Sequence, residues 1–275
     1  MNRQRATEQR GWHSPLSVVI LTKNEAQNLP RCVGGIPLRF PVIVLDSGST
    51  DGTRELALTL DCLVVEQAWL GFAGQRNFAL DHCGIKSPWV LFVDADEVYG
   101  EAFFEWFEKA VASSEDADAY MVPSYLFLNG AKLKYAPGYP VVHPRLVRRD
   151  SVRFTTNHTD HGESIPKESR VRNAPVAYDN YFFRGDIVEW MQKHIKTATL
   201  EVGMRTNPQA VLTWRGRLSL IAGRGMIRVP LRFLYHYLFR AGFLDGAAGF
   251  QYSLMYAWYE MTKALLLRAE KAKAS

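Results

Sequence analysis

Three carboxylates close together at the end of an apolar run are the residues of this chain best suited to chemistry. In "WVLFVDADEV", residues 89–98, Trp89 to Val93 has the composition of a buried strand, and Asp94, Asp96 and Glu97 follow directly. Asp94 and Asp96 are two apart, so a strand that continued regularly would turn both to one side. Two carboxylates held close raise each other's pKa unless a cation lies between them. Hard oxygen ligands suit Mg2+ or Mn2+, which keep waters and take their remaining ligands from a substrate's phosphates. The plainer alternative is that Asp96 or Glu97 caps a helix beginning near residue 100.

Two other apolar runs end in polar groups. "LSVVIL" (16–21) delivers Thr22, Asn24 and Glu25, and "VIVL" (42–45) delivers Asp46, then Ser47, Gly48, Ser49, Thr50 and Asp51. Asp46 has the chemistry to accept a hydrogen bond from a uracil N3–H or a ribose hydroxyl, whereas Ser49 and Asp51 suit turn roles. Three polar strand ends on one sheet edge make an acidic crevice. A sugar nucleotide needs such a place: its diphosphate calls for a divalent ion, and its base and ribose call for polar partners.

The elements that must position these groups alternate. Short Val/Ile/Leu-rich runs at 16–21, 42–46, 62–65 and 89–93 are separated by helical segments near 26–35, 51–60, 73–83 and 100–114. Runs apolar on both faces predict a parallel sheet, and the alternation predicts right-handed βαβ units in an α/β sandwich. Ligands of such sheets bind beyond the carboxyl ends of the strands. After Ala119 the pattern changes. Asn129-Gly130 between two strand-like runs predicts a hairpin, 136–180 predicts loops with short strands, and 186–202 is helical. A polar bridge (203–217) leads to helical segments near 229–241 and 247–270, split by "GFLDGAAG", with Pro230 placed to open the first of them.

Composition bounds the class. Of 275 residues, 47% are hydrophobic and 22% charged, an ordinary folding composition. Cys32, Cys62 and Cys83 lie far apart with no C-x-x-C pair, which argues against a zinc site or a disulfide framework and fits a reducing compartment. The polar stretch at 1–14 is expected to be a flexible tail and not a signal peptide. No run reaches the roughly 18 uncharged apolar residues of a spanning helix. From Arg215 onward there are ten Lys/Arg against three Asp/Glu; with a net charge of +5, the first 214 residues carry −2. A basic, aromatic end on a near-neutral body suggests an anionic membrane surface as partner. Nucleic acid is not expected, because no zinc-finger or RRM signature accompanies the charge.

"LSVVILTKNEAQNL", "VIVLDSGSTDGT", "GFAGQRNFAL" and "VLFVDADE" occur in that order, and together they resemble the family-2 glycosyltransferases of the GT-A fold. The resemblance is strongest over residues 16–115. It continues through "HPRLVRR" and "DHGE" to "GFLDGAAGFQYSLMYAWYEMTK", where it is similar to bacterial lipopolysaccharide-core glucosyltransferases. It implies a three-layer sandwich around a mainly parallel sheet over 15–202, and the basic, aromatic helical pattern that follows predicts a helical, membrane-associating region over 203–275. It implies Asp46 as the base-binding acid, Arg76 as a basic residue near the nucleotide, and Asp94 and Asp96 as the D-x-D pair, with one on the ribose or metal and the other on the metal. Thr22, Asn24 and Glu25 match the first nucleotide-side loop. The expected reaction is metal-dependent, inverting transfer from a nucleotide-sugar donor, expected to be UDP-linked, to a cell-surface glycan or lipid-linked acceptor. The expected location is the cytoplasmic face of the inner membrane.

Direct displacement at an anomeric carbon needs a general base within hydrogen-bond reach of the acceptor. "TTNHTDHGES" supplies His158, Asp160, His161 and Glu163. Asp160 or Glu163 is expected to be the base, and His161 a third metal ligand or a phosphate contact. Arg145 is either a phosphate contact or a strand-surface cation, and Arg76 by spacing alone would lie on a solvated helix face. Trp190, Lys193, His194 and Thr197 share one helix face, either solvated or touching the acceptor. Arg232, His236 and Arg240 form a polar stripe on an otherwise apolar segment. It is expected to pack on "FQYSLMYAWY" with arginine heads on lipid phosphates. A sugar-phosphate nucleotidyltransferase would carry a Gly-rich loop after the first strand, where this chain has "TKNEAQN"; a dehydrogenase would carry G-x-G-x-x-G there. A non-catalytic, membrane-bound scaffold retaining a sugar-nucleotide fold is the remaining alternative, and the D-x-D pair argues against it.

Overall fold

The computed structural model describes residues 14–112, 116–138, 141–155, 164–183, 185–206 and 226–274. The chain divides into two compact units, 1–125 with 140–180, and 126–139 with 181–275.

The first unit carries the strands β1 (Leu16–Thr22), β2 (Val42–Asp46), β3 (Leu63–Glu66) and β4 (Trp89–Asp94), all mutually parallel in the order β3-β2-β1-β4. Every residue of β1 and β2 is buried, which is why they read as unbroken apolar runs and not as alternation. Odd and even positions feed two different cores. Leu16, Val18 and Ile20 pack with Leu29, Cys32 and Val33 of α1 (Leu29–Gly34), Ala57 of α2 (Thr53–Thr59) and Phe103, Phe104 and Phe107 of α4 (Glu101–Ala110). Val19, Leu21, Ile43 and Leu45 pack with Ala73, Ala79 and Leu80 of α3 (Gly71–His82). Helices on both faces of the sheet make the three-layer α/β arrangement that the alternation predicts. Each buried phenylalanine of α4 contributes about 1.5–3 kcal/mol.

Beyond β4 the sheet turns antiparallel. β8 (Val141–Arg148) pairs with β4 and with β6 (Ala119–Leu128); β10 (Tyr178–Asn180) pairs with the short β5 (Glu97–Val98); β9 (Val171–Asn173) runs parallel to β6. The predicted apolar run at 62–65 appears one residue later, as β3.

The second unit begins with the end of β6 and its hairpin partner β7 (Ala131–Lys132), in the register Leu128 to Ala131. Asn129 (φ 50°) and Gly130 (φ 77°) both adopt left-handed backbone. That is what a two-residue primed turn demands and why Asn-Gly signals it. Helices α5 (Ile187–Thr206), α6 (Arg228–Leu234) and α7 (Gly246–Ala274) follow; a π-helical turn (Tyr235–Phe239) and a 3-10 turn (Gly242–Asp245) join the last two. Pro230 sits in the first turn of α6, where its missing N–H leaves no bond unmade. Leu128, Leu133, Trp190, Ala198, Tyr252, Met255 and Tyr259 form this unit's core. Among the described residues no helix is long and apolar enough to cross a membrane.

Candidate functional site

β1, β2 and β4 end at one edge of the sheet. In the ladder Thr22 stands opposite Asp46, and Leu21 opposite Asp94. Parallel strands in register thus bring residues far apart in sequence to a common edge, as the alternating pattern predicts.

Asp46 is fully buried. Its Oδ1 accepts the backbone N–H groups of Gly48 (2.9 Å) and Ser49 (2.7 Å), and its Oδ2 accepts the hydroxyls of Thr22 (2.8 Å) and Ser49. Burial pushes this carboxyl up, but the bonds from Ser49, Thr22 and Gly48 outweigh it and hold the group below the ordinary aspartate range. The turn chemistry of "DSGSTDG", expected of Ser49 and Asp51, centres also on Asp46, which is the hub of the turn. Thr22 serves Asp46 as a donor.

The loops after β1 and β2 are stitched to each other. The N–H of Asn24 donates to Ser49 Oγ (2.8 Å), that of Glu25 to Thr53 Oγ1 (2.9 Å) and that of Ala26 to Asp51 Oδ2 (3.1 Å). Thr50 N–H returns to Asn24 Oδ1 (2.9 Å), and Asn24 takes the left-handed backbone (φ 57°) that asparagine tolerates. Glu25 accepts from Asn28 Nδ2 (3.0 Å). Gln75, a residue with no signal in the sequence, is also fully buried; its amide donates to Ser47 Oγ (3.0 Å) and to the Gln67 carbonyl (3.1 Å). The predicted nucleotide-side residues therefore converge, on a loop pair fixed from both sides.

At the end of β4 the chain turns at Ala95–Asp96 before β5, so Asp94 and Asp96 are not successive residues on one face of a continuous strand. Both are half-buried and Glu97 is fully buried. The protein supplies a cation to Asp94 and Glu97 from its own sheet. Arg145, 2% exposed on β8, donates to Asp94 Oδ2 (2.6 Å) and to Glu97 Oε1 through Nη2 (2.7 Å) and Nε (3.2 Å). The Arg76 guanidinium stands 3.7 Å from Asp94 Oδ1. Glu97 Oε2 also accepts the Asp94 N–H (3.2 Å). Burial pushes Glu97 up to about 8 against the pull of Arg145. Neither acid caps α4: its N-cap is Gly100, without a side-chain bond.

Two expectations are corrected here. Arg145 is not a strand-surface cation but a buried brace between Asp94 and Glu97. Arg76 is not on a solvated face. It is fully buried, with its guanidinium 5.5 to 5.9 Å from the ring centres of Phe72, Phe92 and Phe154.

Phe154 leads to the segment expected to hold the base. Asn77, the last residue of "QRN", bonds both ways with the Phe154 backbone (2.9 and 2.8 Å). Thr155 and Ser164 form an isolated antiparallel bridge, Thr155 N–H to Ser164 O at 2.9 Å. His158, Asp160, His161 and Glu163 lie outside the described residues; the two ends of their segment are tied together. An unbroken line of contact runs from Asp94 through Arg76 to Phe154, the residue just before that bridge.

The acceptor-side reading of the helix face at 190–197 is not what α5 displays. Trp190 is buried, stacked on His194 (centroids 3.8 Å apart), and His194 Nδ1 is 2.9 Å from the Trp190 carbonyl oxygen. Thr197 donates to the Lys193 carbonyl (3.1 Å), and only Lys193 of the four is exposed. Of the stripe Arg232, His236 and Arg240, only His236 is buried; the Arg232 side chain is 38% exposed and stands 3.9 Å from Glu260.

The family model for glycosyl transferase family 2 matches residues 17–167. A lipopolysaccharide core biosynthesis glycosyltransferase of Rhizobium meliloti, LpsC, is 30% identical over 192 residues, 68% of this chain and 70% of that protein. An uncharacterized glycosyltransferase of Rickettsia prowazekii is 27% identical over 263 residues, 92% of this chain and 86% of its own length. Among solved structures, a mannosyltransferase from Pyrobaculum calidifontis in complex with GDP-Man and Mn2+ is similar with a TM-score of 0.47 and 17% identity, covering 97% of this chain and 94% of that one.

Proposed function

Because this chain belongs to glycosyl transferase family 2, and is therefore a glycosyltransferase, we propose that it transfers a hexosyl group from a nucleotide-sugar donor to a cell-surface glycan or lipid-linked acceptor, with inversion at the anomeric carbon. The observation that carries the reading is Asp94, held between Arg145 and Arg76 at the carboxyl edge of β4, beside the fixed loops after β1 and β2. A carboxylate fixed by two buried guanidinia is a preoriented acceptor for a ribose hydroxyl, and Arg76 adds positive charge near a leaving diphosphate. The relative from Rhizobium meliloti is named for lipopolysaccharide core biosynthesis, which supports a cell-envelope glycan as the acceptor class.

The residues suit a divalent ion of one kind. Asp96 is a hard oxygen ligand, half-buried on the turn after β4, and Asp94 is engaged by arginine. Among the described residues no three His, Cys, Asp or Glu side chains converge on a common point. That donor set fits Mg2+ or Mn2+, for which one or two carboxylates suffice and substrate phosphates and water complete the shell. Asp96 would hold the ion, with Asp94 beside it. When bound, the ion neutralises charge on the departing nucleoside diphosphate.

In the reaction the acceptor oxygen forms a bond to C1 as the bond from C1 to the phosphate oxygen breaks. The acceptor proton passes to a carboxylate, Asp160 or Glu163, and the nucleoside diphosphate leaves with the bonding pair. His161 is assigned to a phosphate or metal contact. Asp46, Thr22, Asn24 and Glu25 keep the donor loop in shape. The bond from Asn77 to Phe154 and the Thr155–Ser164 bridge fix where the segment carrying the base leaves and rejoins the domain.

A thermal-shift screen of nucleotide sugars with and without Mn2+ tests the proposal. The cognate donor at 100-fold its Kd adds about 2.7 kcal/mol of stability, and Asp96→Asn removes the metal-dependent part while leaving the fold intact. A panel covering UDP-, GDP-, TDP- and CMP-sugars in which none stabilises the chain under either condition refutes it.

A further inference from the structure

Residues 226–244, "MIRVPLRFLYHYLFRAGFL", contain three arginines, a histidine and no acid. A helix in water turns its charges outward and its apolar side inward. This segment does the reverse. His236 is buried, with Nδ1 2.8 Å from the Ala136 carbonyl oxygen and its ring against Tyr252 and Tyr256. Arg228 and Arg232 reach toward the buried Glu260 (3.7 and 3.9 Å). The Arg240 guanidinium occupies the space where a side chain on Gly138 would stand. The outward side is left to Ile227, Leu231, Leu238, Phe239, Phe243 and Leu244, each between 48% and 82% exposed.

An exposed apolar face on that scale marks a partner surface. Its surroundings state the partner's charge. Asp245 accepts the backbone N–H groups of Lys134, Tyr135 and Ala136 (2.8 to 2.9 Å), which sets the hairpin and its exposed Lys134 next to Phe243 and Leu244. Arg228 and Arg232 remain about one-third exposed along the other side. Lys134, Arg228, Arg232 and Arg240 outnumber Asp245 and Glu260, so among these described residues the charge around the face is net cationic. A second copy of the chain would bring the same cationic rim against itself in a two-fold interface. A surface of anionic headgroups over acyl chains matches both features, and short helical pieces with aromatic residues suit a position in the interface plane.

We propose that the face formed by Ile227, Leu231, Leu238, Phe239, Phe243 and Leu244, rimmed by Lys134, Arg228 and Arg232, docks the chain onto an anionic lipid surface. Apolar side chains enter the headgroup–acyl boundary while His236 and Arg240 stay inside as struts. This adds a partner to the transferase and stands apart from its donor chemistry.

The experiment sediments the full chain with phosphatidylcholine vesicles and with vesicles containing phosphatidylglycerol. The wild type is expected to pellet with the anionic vesicles and to be released by salt. Phe239→Asp and Leu231→Asp, both on the outward side, lower the partition by about tenfold or more, and Lys134→Glu lowers it on anionic vesicles. Melting temperature and stabilisation by a nucleotide sugar without vesicles stay unchanged, which separates this inference from the donor-site proposal. A variant that fails to melt cooperatively is set aside, and the wild-type vesicle result together with the other two variants decides. Wild type left in the supernatant with anionic vesicles overturns the proposal, as does undiminished pelleting of the folded variants. A wild-type dimer that Phe239→Asp converts to a monomer, with no vesicle binding, overturns it in favour of self-association.

Discussion

Replacing Arg145 with methionine removes the charge that braces the site and keeps most of the side-chain volume. The guanidinium makes contacts of 2.6 Å to Asp94 and of 2.7 and 3.2 Å to Glu97, and neither Arg145 nor Glu97 is more than 2% exposed. Removing one partner of a buried pair costs about 3–5 kcal/mol, because the other charge stays buried alone. The variant escapes part of this cost by protonating Glu97, which makes the loss depend on pH. Burial already pushes Glu97 up to about 8, from the ordinary glutamate value of 4.5, and loss of Arg145 raises it further. A carboxyl raised in the folded state keeps its proton after the unfolded chain has released it. Its contribution is therefore complete below about 4.5 and declines as pH rises through the folded value. The deficit of Arg145→Met should be smallest at pH 5 and grow as pH rises through about 8, staying below the full cost of a lone buried charge while Glu97 of the variant keeps its proton. Adding Glu97→Gln removes the charge that needs a partner, and the double variant should recover at least about half the loss at pH 8. Urea unfolding at both pH values measures all of this. A deficit equal at pH 5 and pH 8, and untouched by Glu97→Gln, would refute the assignment of Arg145 as the brace of a buried acid.

Three other outcomes follow from the same contacts. Asp46→Ala strands two backbone donors and two hydroxyls and should cost about 3 kcal/mol or more by urea unfolding; because the folded Asp46 is held below the ordinary value of 3.8, its wild-type contribution is present above that pH and fades as pH falls below it. Burial holds His194 and His236 below the ordinary 6.5; the unfolded chain takes up protons first on acidification, so wild-type thermal stability should drop as pH falls from about 6.5 toward 5, less steeply in His236→Gln. Gly130→Ala forces an alanine into φ 77° and should cost about 1–2 kcal/mol, read as faster amide exchange in the hairpin.

The parallel half of the sheet was legible because strands buried on both faces must be continuously apolar, and each of the four runs became a strand. The helices between them lie within a few residues of the segments expected between the runs. The partners of buried charge were not legible. Arg76 lies on α3, Asp94 and Phe92 on β4, and Phe154 beyond β8. No local pattern distinguishes an arginine that tertiary contacts will bury from one that water will solvate. The same holds for Arg145, whose strand gives no hint that Glu97 lies opposite. Gln75 and Asn77 went unread because a buried amide clamp has no period. Only the backbone groups it satisfies, at Gln67 and Phe154, reveal its purpose.

The inward stripe of the second unit shows where periodicity stops and energetics must take over. A four-residue recurrence of Arg232, His236 and Arg240 states that one side of the segment is polar, but not whether that side meets the protein or the surroundings. The deciding residue is Glu260, an acid inside the apolar run "YAWYEMTK". An acid in the core of a helical unit needs cations within reach, since an unpaired buried charge is far more costly than an exposed apolar side chain. Lys263 at 3.1 Å, with Arg228 and Arg232, meets that need; although burial pushes Glu260 up, these cations hold it below its ordinary value. With the arginines drawn toward Glu260, Leu231, Leu238 and Phe239 face outward, while Phe233 packs on Tyr237 and Phe250. Glu260→Gln should therefore loosen α6 from α7 and leave the fold less stable, while the outward apolar side chains and any lipid docking they support depend on Glu260 only through that packing. If vesicle binding strengthened in Glu260→Gln without loss of stability, the arginines would be lipid ligands held back by Glu260, and the inward stripe would be a restraint and not a strut.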